Sequence, residues 1–411
     1  MSAAFGPGLM ARLDEFARFS ESADALTRTF LSPEHKAAAD CLMGWMREAG
    51  MAVRLDALGT VIGRYEGERP GLPALLVGSH IDTVRNAGRY DGNLGVLAGV
   101  AAVAELNRRG ERLPFAVEVL GFGDEEGVRF PVTLTSSRAC AGTLDPATLD
   151  VADAVGVRLR DALRAFGGDP DAVASAALRG ALAYVELHIE QGPVLEAEGL
   201  PVGIVTAING ATRFAVTVKG MAGHAGTVPM GLRRDALAAA AEMVLAVEAR
   251  GSAVPDLVAT VGRLEALPGA TNVIPGEARF TIDVRAPDDG VRRAAAADIT
   301  AALQAIAARR AVALEVRTVH DAPAAACAPA LMEGLEACVR RAGVRPFRLP
   351  SGAGHDAMAM AALVPSAMLF VRCRGGISHN PAESITPEDA DLSVGVLLDF
   401  LRTFNPSDVT P

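Results

Sequence analysis

Apolar positions in the first part of the chain follow two rhythms, short unbroken runs and longer stretches at helical spacing. Ser32-Pro33 offers a helix cap and a first-turn proline, which predicts an amphipathic helix running toward Gly50. Extended segments are predicted over 53–58 and 61–65, and an apolar strand over 74–77 runs into Gly78-Ser79-His80. A helix over about 93–107 and a buried strand over 115–122 follow, the strand ending at Gly123-Asp124-Glu125-Glu126. After a longer irregular and helical stretch comes Tyr184-Val185-Glu186-Leu187-His188-Ile189-Glu190-Gln191-Gly192. This alternation predicts an α/β domain. Each polar cluster falls at the C-terminal end of an apolar strand, where open α/β sheets hold their ligands.

From about Arg213 the order becomes strand 213–218, helix 232–248, strands 257–264 and 278–285, helix 291–308 and strand 313–318. That βαββαβ order predicts a ferredoxin-like α+β unit. The earlier rhythm resumes with a helix over 329–342, a strand over 367–371 and a final helix over 387–404. The expectation is one α/β catalytic domain in two parts, residues 1–208 and 326–411, interrupted by a smaller inserted domain, residues 209–325.

Composition narrows the functions available. Lys and Arg number 39 against 49 Asp and Glu, for a net charge of −10, and aromatics make up only 4%. With no cationic stripe interleaved with aromatic residues, nucleic acid is not the expected partner. No run of ~20 strongly apolar, uncharged residues predicts a membrane span. Met1 to Glu15 lacks the basic and apolar pattern of a secretion signal, so a cytoplasmic location is expected. Cys41, Cys140, Cys327, Cys338 and Cys373 are odd in number, scattered and never spaced C-x-x-C, which predicts reduced core thiols.

Only seven histidines occur, and five of them sit in Gly-, Asp- or Glu-rich segments. His80, Asp82, Asp91, Glu125, Glu126, His188 and His379 gather at strand ends, a mixture of imidazole and carboxylate suited to two borderline divalent metals. A two-metal hydrolytic centre needs a carboxylate that bridges ions ~3.5–4 Å apart, terminal ligands on each, and a further carboxylate free to handle protons. Glu125-Glu126 fits that division, one ligating while the other works as base. In His80-Ile81-Asp82, strand alternation would let Asp82 hold the second ring nitrogen and fix its tautomer.

Eight motifs, in order and spanning nearly the whole chain, carry a family resemblance. They are Gly78-Ser79-His80-Ile81-Asp82-Thr83-Val84, Tyr90-Asp91-Gly92-Asn93-Leu94-Gly95, Asp124-Glu125-Glu126-Gly127-Val128-Arg129-Phe130 and His188-Ile189-Glu190-Gln191-Gly192-Pro193. They continue with Gly223-His224-Ala225-Gly226-Thr227-Val228-Pro229-Met230, Asn272-Val273-Ile274-Pro275-Gly276, Ser351-Gly352-Ala353-Gly354-His355-Asp356 and Ile377-Ser378-His379-Asn380-Pro381-Ala382-Glu383. The chain resembles the hydantoinase/carbamoylase amidases, a family that includes allantoate amidohydrolases, N-carbamoyl-L-amino-acid hydrolases and β-ureidopropionases and is related to dizinc aminoacylases and carboxypeptidases.

The resemblance implies two divalent ions per subunit, zinc first, with manganese, cobalt or nickel also possible. His80, Asp91 and His188 would hold one ion and Asp91, Glu126 and His379 the other, with Asp91 bridging and Glu125 as general base. Dizinc peptidases usually place a carboxylate where His188 stands, which tilts the expectation from a peptidase toward a ureido-amidase. In the inserted domain, Arg285 would grip a substrate carboxylate, and His224 with Asn272 would polarise the scissile carbonyl. Gln191, Gly354 and His355 would line the pocket. The family is dimeric through this domain, so a homodimer is expected, with His224 and Asn272 reaching the neighbouring subunit's site. The resemblance favours allantoate as substrate over N-carbamoyl-L-amino acids, ahead of an aminoacylase or peptidase and of a non-catalytic metal-binding dimer.

Overall fold

Four parallel strands, Ala116–Phe122, Ala74–His80, Ala181–Ile189 and Ser366–Val371, form the centre of a nine-stranded sheet in the computed structural model, which describes residues 5–409. The outermost positions of the expected catalytic domain, residues 1–4 and 410–411, lie outside the described residues. Antiparallel strands flank this centre: Val61–Tyr65 beside Ala116–Phe122 on one side and Val202–Ile208 beside Ser366–Val371 on the other. The central strands are buried almost throughout, as expected of parallel strands covered on both faces. Helix Asn93–Arg109 packs against them. At Gly95 a Cβ would lie 2.0 Å from the Leu187 carbonyl oxygen, so glycine lets the first turn of this helix approach the strand bearing His188.

The chain divides into two compact units. The larger holds the residues up to Thr206, Cys327–Leu349 and those from Ala353 on; the smaller holds Ala207–Ala326 with Pro350–Gly352. In the smaller unit the antiparallel sheet has the order Ala313–Ala322, Gly210–Lys219, Glu277–Ala286, Val258–Leu267. Helices Ala236–Gly251 and Asp289–Arg309 enclose a core with Phe214, Val216, Phe280, Ile282, Val284, Met243, Ile299 and Leu303. Strand alternation sends Arg213, Thr281, Asp283 and Arg285 to the opposite, more exposed face.

Local chemistry moves some boundaries. The helix expected from Leu232 starts at Ala236, because the Asp235 carboxylate accepts the Ala238 N–H at 3.0 Å while Met230–Leu232 forms a separate 3₁₀ turn. The sequence pattern does not single out strand Val202–Ile208 or helix Gly6–Phe16. Pro350–Gly352 joins the smaller unit, where the Asn209 N–H donates to the Ser351 carbonyl at 2.9 Å. All five cysteines are free thiols, four of them buried. Among the described residues no helix is long and apolar enough to cross a membrane.

The cap at Ser32 generates a pH dependence. Its oxygen accepts the His35 N–H at 3.1 Å, which seats His35 in the first turn of helix Pro33–Glu48, between Phe30 and Phe166. Nδ1 accepts the Leu31 N–H at 2.9 Å, and burial, aided by the Arg28 cation, pulls the imidazole down to about 3. The unfolded chain takes up this proton near the ordinary value of 6.5 while the fold refuses it, so stability falls as pH drops from there toward 3. Between pH 7 and 5 the loss is on the order of 2 kcal/mol. His35→Asn keeps an acceptor near the Leu31 N–H without titrating, and its urea midpoint should vary less over that range than the wild-type midpoint.

Candidate metal centre

The four central strands end at one edge, and each delivers part of the site. His80 closes its strand, and its Nδ1 lies 2.9 Å from the main-chain oxygen of Asp82. The Asp82 carboxylate, expected to hold this ring, stands 3.9 Å away and instead accepts the backbone N–H groups of Glu125 and Glu126 at 3.3 and 3.4 Å. The difference has a local cause: the Ile81 N–H stays paired with the Phe122 carbonyl at 2.9 Å, and the buried carboxylate finds its donors in the turn that follows Phe122. His188 has Nδ1 at 2.9 Å from the Ile189 carbonyl. A carbonyl only accepts, so both rings carry a proton on Nδ1 and, when neutral, present a bare Nε2. The two Nε2 atoms face each other at 3.4 Å, with Asp91 Oδ1 at 3.1 Å from His188 and 3.7 Å from His80.

Asp91 lies in the turn before helix Asn93–Arg109. Gly92 has φ of 66°, and a Cβ on it would lie 2.4 Å from the His80 ring, so both the backbone and the space require glycine. The second carboxylate oxygen of Asp91 faces other partners. Oδ2 lies 3.3 Å from His379 Nε2, which is itself 3.6 Å from Glu126. The two oxygens of Asp91 thus serve two sets, one with His80 and His188, the other with Glu126 and His379. Glu125 belongs to a neighbouring set with His80 and Glu126.

Burial would raise the Asp91 carboxyl, yet in their protonated form His188, His379 and His80 together hold it well below the usual carboxylate range. Glu125 is pushed well up, by burial first and then by Glu126, Asp356 and Asp82, against the pull of His80. Burial, with Asp91 next, lifts Glu126 to about 7. Facing imidazole lone pairs and crowded carboxylates form a set of acceptors that a divalent cation satisfies, so the residues fit two ions that share Asp91.

A family model matches residues 76–403 and describes peptidase family M20/M25/M40. The chain belongs to peptidase family M20/M25/M40. Among curated relatives, an allantoate deiminase of Arabidopsis thaliana is 40% identical, over 96% of this chain and 81% of that protein. An N-carbamoyl-L-amino acid amidohydrolase of Geobacillus stearothermophilus is 42% identical, over 95% of this chain and 97% of that protein. A solved hydantoinase/carbamoylase family amidase from Burkholderia multivorans superposes with a TM-score of 0.92 at 34% identity, covering 97% of each chain. This M20 chain is a hydrolase of carbon–nitrogen bonds with a dinuclear metal site.

The remaining expected residues of the larger unit crowd the same centre. A Cβ on Gly354 would lie 3.7 Å from Glu125 Oε1. His355 is buried edge-on against His188 at 4.5 Å, and burial holds its ring well below the ordinary range. Gln191, expected to line the substrate pocket, donates from Nε2 to Asp91 Oδ2 at 2.9 Å. In the smaller unit His224 and Asn272 come together: Val273 pairs with His224, and the Ala225 N–H donates to the Asn272 carbonyl at 2.9 Å. His224 Nδ1 accepts the Gly226 N–H at 3.0 Å, which leaves the ring proton on an exposed Nε2.

Two supporting acids escape the sequence reading. Glu383 Oε1 accepts the N–H groups of Tyr90 and Asp91 at 2.8 and 3.1 Å, and Ser378 Oγ lies 2.9 Å from Asp91 Oδ2 and 3.2 Å from Glu383 Oε2. Glu186, fully buried, accepts from Ser79 at 2.8 Å, Tyr184 at 3.1 Å and the Ala357 N–H at 2.9 Å. The signal for Glu186 was an acid inside an apolar strand; Glu383 shows only as the end of the His379 motif. Glu383→Ala should weaken metal binding roughly 10–100-fold by freeing the Asp91 turn. Competition with a chromophoric chelator measures this, and unchanged affinity would remove Glu383 from the support of Asp91.

Proposed function

We propose that the protein hydrolyses the ureido bond of a small carboxylate, yielding an amine, ammonia and carbon dioxide, with allantoate as the first reading of the substrate. The observation that carries this is the division of Asp91 between two ligand sets beside the carboxyl group of Glu125, which belongs to neither. N-carbamoyl-L-amino acids are the second reading, favoured by the equally strong likeness to the Geobacillus stearothermophilus enzyme.

His80, Asp91 and His188 would hold one ion, and Asp91, Glu126 and His379 the other, zinc being the metal that this donor set suits first. When bound, such ions polarise a carbonyl and bring the acidity of water toward neutrality. Glu125 accepts the proton of the attacking water and returns it to the departing nitrogen; its raised proton affinity suits both halves of that task. Asp82, through the N–H groups of Glu125 and Glu126, fixes the turn that carries them. His224 donates from Nε2 to the oxygen on which charge develops, assisted by Asn272. Arg285 takes the substrate carboxylate. Rupture of either ureido C–N bond leaves a carbamate, which breaks down to the same products.

A homodimer through the smaller unit is part of this reading, supported by the exposure there of Met230, Leu232 and Leu245 at 77%, 76% and 63%. Sedimentation at micromolar concentration tests it, and a monomer at every concentration would overturn it.

Glu125→Gln should retain two metals while losing at least about 10³ in kcat, since the amide keeps the shape but cannot accept the proton. Metal analysis beside single-turnover kinetics decides this; near wild-type turnover would sink the assignment. Ammonia release from allantoate, N-carbamoyl-L-amino acids, N-carbamoyl-β-alanine and N-acetyl-amino acids tests the substrate reading. Turnover of the last alone would favour an aminoacylase.

A further inference from the structure

Arg285 is already engaged on three of its five N–H groups. Nε and Nη2 donate to Asp283 Oδ1 and Oδ2 at 3.0 and 2.9 Å, and Nη1 donates to the Gly352 carbonyl at 2.7 Å. Two N–H groups remain, one on each terminal nitrogen. When the Gly352 carbonyl takes the Nη1 hydrogen on the Cδ side, these two N–H groups lie on the end-on edge of the planar guanidinium, as a second fork that matches a carboxylate bidentately. Asp283 is shared: Arg213, directly opposite it on the neighbouring strand, donates from Nε to Oδ2 at 3.0 Å. The three side chains sit on the more exposed face of the sheet, beside a concavity of about 620 Å³ also lined by Val258, Thr260 and Gly352.

We propose that Asp283 and Arg213 are positioning residues that make Arg285 a selective carboxylate receptor. Asp283 takes the side-on fork and, with the Gly352 carbonyl, fixes the plane of the guanidinium. The end-on fork is then presented without the side-chain entropy that a free arginine would lose on binding. An acid so close would by itself repel an incoming carboxylate. Arg213 offsets it, leaving the trio at +1. An unpaired Arg285 would offer either fork in many orientations, and an Arg285–Asp283 pair alone would be neutral. The trio is both oriented and cationic.

This inference rests on the reading that Arg285 binds a substrate carboxylate, and the experiment separates the two. Asp283→Asn, Arg213→Gln and Arg285→Ala are compared on the ureido carboxylate turned over fastest in the substrate panel and on its carboxamide. Asp283→Asn should raise KM for the carboxylate roughly tenfold with kcat within about twofold, and leave the carboxamide unchanged. Arg213→Gln should give a smaller increase with the same selectivity. Equal losses on both substrates, or a kcat effect without a KM effect, would mean a merely structural role and overturn the proposal. A selective loss in Arg285→Ala with none in Asp283→Asn would overturn the positioning role and keep the receptor. Absence of a selective loss in Arg285→Ala would overturn the receptor itself. Should Asp283→Asn fail to fold, Arg213→Gln decides, and an unselective or absent effect there counts against the proposal.

Discussion

Two imidazole nitrogens, bare when the rings are neutral, stand 3.4 Å apart in a buried site with a carboxylate oxygen beside both, and the strand ends of the larger unit hold this meeting of metal-binding atoms in place. The pinning of each ring by a backbone carbonyl closes the easy escape, in which one ring would turn its N–H toward the other. Burying such lone pairs and charges unsatisfied would cost several kcal/mol. The arrangement is stable as a receptor for cations and poor as anything else. Parallel strands suit the task, because their ends lie side by side while their residues come from distant parts of the chain.

Holding the acceptors in place requires a surround that is itself acidic. Glu383 grips two main-chain N–H groups of the Asp91 turn, and Glu186 ties Ser79, next to His80, to its own strand and to the first turn of helix Asp356–Met360. Burial and Asp91 lift Glu383 to about 7, which follows from placing a carboxyl group among other acids. Within the smaller unit, the polar sheet face carries a cationic trio, and His224 offers an N–H.

What the sequence makes legible follows from whether a residue acts through its position or through its orientation. His80, Glu125 and His188 could be found because each follows or ends an apolar run, and βαββαβ order could be read in the smaller unit because alternation is kept along its central strand Glu277–Ala286, while register shifts interrupt the pairing of the outer strands. The role of Asp82 was not legible, since its side chain turns toward two N–H groups contributed by a different strand end. The hydrogen bond from Gln191 to Asp91 is not legible, since it depends on a backbone conformation, φ of 58°, that no spacing rule encodes. Glu383 was hidden for a similar reason: its partners are main-chain groups almost the length of the chain away. The ligand pairing that the motifs imply coincides with two sets of side chains that the fold brings together.

The smaller unit leaves and rejoins the larger at neighbouring points. Ala325–Ala326 pairs antiparallel with Ala207–Ile208, and just beyond, the Cys327 N–H donates to the Thr206 carbonyl at 2.9 Å. An unfolded insertion of this length would make the larger unit close a long loop, at an entropic cost that grows only logarithmically with length but is set against every contact spanning the gap. Once the insertion has folded, its two ends are already side by side and that loop is in effect two residues wide. Folding of the inserted unit therefore acts as an intramolecular staple that brings the strand at Val202–Ile208 and the helix that begins at Pro329 together along the chain.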